Sequence, residues 1–267
     1  MNDSWPTPDA RSDEELVKAA LSFAGDDDNE EYWAVVRILQ HRMAAPLLQR
    51  MRELVRMGNE RQRQLAVDAV AQGRAQEKSL SGACVELLLD TLETETSPKV
   101  LRAICHALGH HKSARAVGPL AAFQSHGDAD VRLAVVFGLS GQDDPVAIGT
   151  LIALSADADR DVRNWATFGL GSLTTVDAAP VRAALRARLT DDGEIAGEAL
   201  VGLALRGDPH VVEPLLAAMN SLSQGHCQTG SLVIEAVDAV RMIAARHPDE
   251  VWQPILTSSD GLGQTMA

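Results

Sequence analysis

Four stretches of this chain repeat one apolar pattern at a nearly constant spacing, and this narrows the fold more than any other feature. They are Lys99–Leu108, Asp130–Leu139, Asp161–Leu170 and Glu194–Leu203, and the leucines that end them lie 31, 31 and 33 residues apart. A period of this size is one helix–turn–helix unit, which cannot bury a core alone and is stable only when stacked on its neighbours. Further apolar runs of helical spacing lie between or beyond these stretches: Ala116–Phe123, Val146–Leu154, Val181–Leu189 and Val211–Met219. Polar turns separate the runs at Ser125–Asp128, Gly141–Pro145, Ala156–Asp159 and Gly207–Pro209. Asp, Gly and Pro in such turns end one helix and cap the next.

The pattern extends outward. Ala44–Met57 and Glu60–Gln72 form a looser pair, and Leu80–Leu92 is the first helix of the next unit. Ser231–Arg246 reads as a further second helix and Val251–Leu256 as a terminal half-repeat. Glu14–Phe23 and Glu31–Gln40 depart from the repeat and read as a capping pair, since end repeats need one polar face. Residues 1–12 and about the last ten residues are expected to fray.

Composition agrees with closely packed helices. Hydrophobic residues make up 46% of the chain and aromatics only 3%, so the core rests on Ala, Leu and Val. The net charge of -13 argues against phosphate backbones and anionic membranes as partners. Cys84, Cys105 and Cys227 are odd in number and lack metal-ligand spacing, which fits reduced, buried thiols. Met1–Glu15 is polar and no run has the length of a membrane span, so a cytoplasmic location is expected.

Asp157 and the pair Val162-Arg163 fit the pattern Asp-x-x-x-x-Val-Arg, with Ala166 and Leu170 following at helical spacing. This resembles a HEAT repeat of the short kind also found in phycobilisome-lyase-like proteins, and the strings Asp161–Gly171 and Glu198–Ala204 resemble a group of bacterial HEAT-repeat proteins. The resemblance covers most of the chain after residue 44. It implies an all-α, right-handed α-solenoid of HEAT-like helix pairs, about six repeats plus terminal caps. The expected organisation is 1–43 as N-terminal tail and helical cap, 44–256 as solenoid, and 257–267 as C-terminal tail. It also implies a ladder of Asp and Arg between units, matched fully here only by Asp157 and Arg163. Arg132 has His126 at the Asp position, and Ala196 replaces the Arg in the following unit.

In such solenoids the second helices line a concave groove. At about 100° per residue, Val162, Trp165, Ala166, Gly169, Leu170 and Leu173 share one face, expected to be core, while Asn164, Thr167, Phe168 and Gly171 lie opposite. Transferring that register to the preceding repeats gives an expected groove of Arg102, His106, Leu133, Val136, Phe137, Asn164 and Phe168. Contiguous exposed apolar residues mark interaction sites. The alternative is that the phenylalanines fill gaps between second helices, where Gly138 and Gly169 allow close approach.

Other candidates carry less chemistry. His106 and His110 are four residues apart with no third ligand, so no metal site is expected. Arginines between His41 and Lys78 are interleaved with Glu53, Glu60, Asp68 and Glu77, which reads as a solvated face and argues against nucleic acid. Gly25–Glu31 lacks the alternating ligands of a calcium loop. No nucleophile–base pair, phosphate loop or zinc signature occurs. The expected function is therefore a non-catalytic scaffold or adaptor, without cofactor, that binds a protein or peptide partner on its groove. A bilin-lyase-like accessory protein that binds a tetrapyrrole and a HEAT-type nucleic-acid-binding protein are the alternatives.

Overall fold

The structure is a computed structural model and describes residues 9–23, 29–71, 78–226 and 229–259. Cys227, Arg74 and most of the acidic run at 25–31 lie outside these residues. Two compact units divide the chain between Gly138 and Leu139. The first holds α1 (Asp13–Ser22), α2 (Glu30–His41), α3 (Ala45–Met57), α4 (Glu60–Ala71), α5 (Lys78–Thr94), α6 (Pro98–His111), α7 (Val117–Ala121) and α8 (Ala129–Leu139), whose last residue opens the second unit. The second holds α9 (Pro145–Leu154), α10 (Arg160–Phe168), α11 (Ala179–Arg188), α12 (Gly193–Leu205), α13 (Val212–Ser223), α14 (Gly230–Arg246) and α15 (Gln253–Ser259). Among the described residues there is no strand, and no helix is long and apolar enough to cross a membrane.

The repeated pattern is the buried stripe of the second helices. Val100, Val131, Val162 and Ile195, then Ile104, Val135, Ala166 and Ala199, then Leu108, Leu139, Leu170 and Leu203 are all shielded from solvent almost completely. These positions recur every four residues and so form one side of a helix. Burying each Leu, Ile or Val side chain contributes about 1.5–3 kcal/mol relative to leaving it exposed. Within each unit second helix packs on second helix, α4 on α6 in the first, α10 on α12 and α12 on α14 in the second. The all-α solenoid expected from the period is the fold observed.

Aspartates start the helices, as the turns predict. Asp144, Asp159 and Asp192 are N-caps whose side chains accept from amides of the first turn, and Asp128 accepts from Asp130 and Val131. Each such cap stabilises its helix by about 1 kcal/mol. Before α1, Ser12 and Glu15 form a reciprocal capping box.

Second helices approach one another at one recurring point. The residue after a repeat leucine meets the glycine before the next repeat leucine. A Cβ on Gly109 would lie 2.9 Å from the Cα of Gly138, one on Gly169 would lie 2.7 Å from the Ser140 hydroxyl, and one on Gly202 would lie 2.6 Å from the Cα of Gly171. The close approach expected at Gly138 and Gly169 is thus present.

Candidate interaction surface

In the first unit, α6 and α8 present His106 and Phe137. Their rings lie 5.2 Å apart, tilted by 31°. His106 is exposed by area, yet its packing against Phe137 removes water from the ring. Desolvation first, then the neighbouring His110 and Arg102, hold its pKa below the ordinary histidine value. Arg102 pairs with Asp130 at 3.3 Å, while Leu133 and Phe137 are half-buried. Val136 is fully buried, so it offers no surface, contrary to the groove register. Cys105 is buried beside these residues and its thiol is pushed up to about 12 by burial, which leaves it unreactive.

In the second unit, α10 departs from its expected wheel. Trp165 is 41% exposed and Leu173 44%, although both belong to the expected core face. Asn164, Thr167 and Gly171, expected in the groove, are buried. Two physical reasons account for this. Packing against both α9 and α12 widens the buried arc of α10 beyond a single stripe. From Gly169 to Leu173 the helix widens to a π-helix, which turns Leu173 outward relative to α-helical spacing. Trp165 stands edge-on to Phe168, ring centroids 5.7 Å apart at 85°, and Phe168 is half-buried. Asn164 Oδ1 is buried with no hydrogen-bond partner among the described residues.

Arg163 meets Asp157 through the main chain. Its Nη1 donates to the carbonyls of Asp157 and Ala158, both at 3.0 Å, as Arg132 donates to those of His126 and Gly127. The carboxylate that Arg163 grips is Asp191, at 3.2 and 3.3 Å, in the turn before α12. Burial opposes ionisation of Asp191, but Arg163, the Asp192 amide and Arg188 outweigh it and hold its pKa low. Asp191 lies in the turn before the unit in which Ala196 stands at the arginine position.

Two features escaped the period. Arg206 spends all its donors on carbonyls around the end of the π-helix: Nη1 on Gly171 and Gly202, Nη2 on Leu170 and Thr174, Nε on Val176. Asp208 is fully buried and takes Arg186 at 2.5 Å, Arg182 at 3.4 Å and the amide and ring of His210. Desolvation works against its charge, yet these donors bring its carboxyl down to about 2. An Arg, Gly and Asp in succession read as a turn in the sequence; most of their partners lie more than 20 residues earlier, on α11 and around the π-helix.

A cleft of about 920 Å³ opens among α12, α13 and α14, walled in part by Leu189, Ala218 and Leu232. Glu194 and Glu198 face it, and Arg160 holds Glu194 at 2.8 Å and Asp192 at 2.7 Å. Glu198 is half-buried, and burial first, then Glu235 and Glu194, push its carboxyl up to about 7. Among the described residues, no group of three or more His, Cys, Asp or Glu is arranged to hold a metal.

A family model described as HEAT repeats matches residues 85–171. The Escherichia coli protein YibA is similar over 96% of this chain and 100% of its own, with TM-score 0.63 and 19% identity. An engineered protein is similar over 92% of this chain and 71% of its own, with TM-score 0.58 and 20% identity. An archaeal HEAT-like repeats protein from Thermococcus onnurineus NA1 aligns over 97% of this chain and 100% of its own, with TM-score 0.46 and 16% identity. No curated protein matches the sequence. Residues 85–171 thus carry HEAT repeats, and the same buried stripe recurs beyond them at Ile195, Ala199 and Leu203.

Proposed function

We propose that this HEAT-repeat chain is a non-catalytic, cytoplasmic scaffold or adaptor whose second helices hold a protein or peptide partner. HEAT repeats form a scaffold often used for protein interaction. The observation that carries the reading is Trp165, 41% exposed on α10 and edge-on to Phe168. A large aromatic left partly in water on a surface of this kind is the usual anchor of a partner, because its area is recovered on binding. His106 against Phe137 supplies a similar pair in the first unit. Arg102, Leu133 and Phe137 remain in the proposed surface of the first unit and Phe168 in that of the second, while Val136 and Asn164 leave because they are buried. The buried free thiols of Cys84 and Cys105 suit a reducing compartment.

The test is a capture experiment with the whole chain as bait, comparing wild type with Trp165→Ser. Trp165 is exposed enough that the variant should keep its melting temperature. A protein retained by wild type and lost with the folded variant supports the reading. An identical set of captured proteins moves the site away from α10.

A further inference from the structure

We propose that the cleft among α12, α13 and α14 takes a partner segment carrying a basic side chain among apolar ones, with Glu198 receiving the cation. This rests on the scaffold reading and names the chemistry of the partner. The cleft, at about 920 Å³, lies within the range of ligand-binding cavities and exceeds what one side chain fills. Its walls at Leu189, Ala218 and Leu232 are apolar, and its acids are not equivalent. Glu194 is already held by Arg160 at 2.8 Å. Glu198 has no cation beside it among the described residues; the charges that act on it, Glu194 and Glu235, repeat its own sign.

Elsewhere in the unit, shielded acids are matched from within the chain, Asp191 by Arg163 and Asp208 by Arg182 and Arg186. Glu198 departs from that pattern, and an open cleft adjoins it. A lysine or arginine there relieves the repulsion among the glutamates and makes a charge-assisted hydrogen bond in a partly dry site. The long methylene stems of these side chains lie well on leucines while the charged head reaches the carboxylate. The chain's net charge of -13 draws basic partners over a long range, so charge complementarity acts both at the cleft and before contact. A small polyamine satisfies the charge but leaves the apolar walls in water, which favours a peptide.

The probe is a synthetic helical peptide of lysine and leucine, titrated calorimetrically into the full chain. Control peptides carry glutamate in place of lysine, or glutamine in place of leucine. The lysine–leucine peptide should bind wild type, and Glu198→Gln should weaken it about tenfold. Glu213→Gln, which alters an exposed acid of α13, should leave the affinity unchanged. Glu198→Gln removes a crowded charge and should fold at least as stably as wild type. The proposal is overturned by no binding to wild type, by equal affinity for Glu198→Gln, or by equal binding of either control peptide. If captured partners are lost with Trp165→Ser but kept with Glu198→Gln, the scaffold reading stands and the basic-segment proposal fails.

Discussion

The carboxyl of Asp208 is buried deeply and stays charged, whereas that of Glu198 is less buried and sits near neutrality. The difference is the company each keeps: two arginines and a histidine against two glutamates. The two should therefore respond to pH in opposite ways. Asp208, lowered to about 2, contributes stability that is present above the ordinary aspartate value of 3.8 and is lost as pH falls toward about 2. Asp208→Ala leaves Arg182 and Arg186 facing a void and should cost about 3 kcal/mol, measured by urea unfolding near neutral pH. Glu198 is raised, so its contribution is full below the ordinary glutamate value of 4.5 and drains away as pH rises to about 7. Glu198→Gln should accordingly unfold at higher urea than wild type at about pH 8, and the gap should close as the pH is lowered toward the carboxylate range. A gap independent of pH would mean that the effect does not come from titration. Neither acid could be singled out from the sequence, because each pKa depends on burial and on a residue of another helix, Glu235 for Glu198 and Arg186 for Asp208.

Along the elements, the sequence was most legible where the period is strict. Val131, Val135 and Leu139 could be placed in the core from spacing alone, as could Val162, Ala166 and Leu170. Legibility ended where geometry changed within an element. A wheel of constant pitch cannot anticipate the π-helix at Gly169–Leu173, nor that α10 is covered on two sides, and so it misplaced Trp165, Leu173 and Asn164. Arg206 holds that π-helix by its carbonyls, and the planar fork is needed to reach them all. Arg206→Lys should therefore speed amide hydrogen exchange around residues 170–176, and protection equal to wild type would deny the clasp. The glycine contacts give a sharper contrast. Gly202→Ala puts a methyl group against the Gly171 backbone and should cost about 1–3 kcal/mol. Gly149→Ala, in α9 with open space around the added methyl, should raise stability by up to about 1 kcal/mol. Paired thermal melts distinguish the two.

For the whole molecule, charge and period give separate predictions. A net charge of -13 repels polyanions, so duplex DNA should run unretarded past the protein at about 0.15 M salt. A retarded band would show that local arginines overcome the total. The function was the least legible property, since the period specifies how units stack and says nothing of what fills a cleft. The glycine contact has one more consequence, for how a chain of this kind gains or loses length. Gly109 fits Gly138, Ser140 fits Gly169 and Gly171 fits Gly202, each a small residue behind one repeat leucine against a glycine ahead of the next. The repeats that end in Leu139 and Leu170 thus each carry both halves of the same joint. A duplication or deletion that cuts at equivalent positions restores the joint whatever its number of units, whereas a cut out of phase sets side chain against side chain and forces the helices apart. Length should therefore vary among such chains in whole repeats.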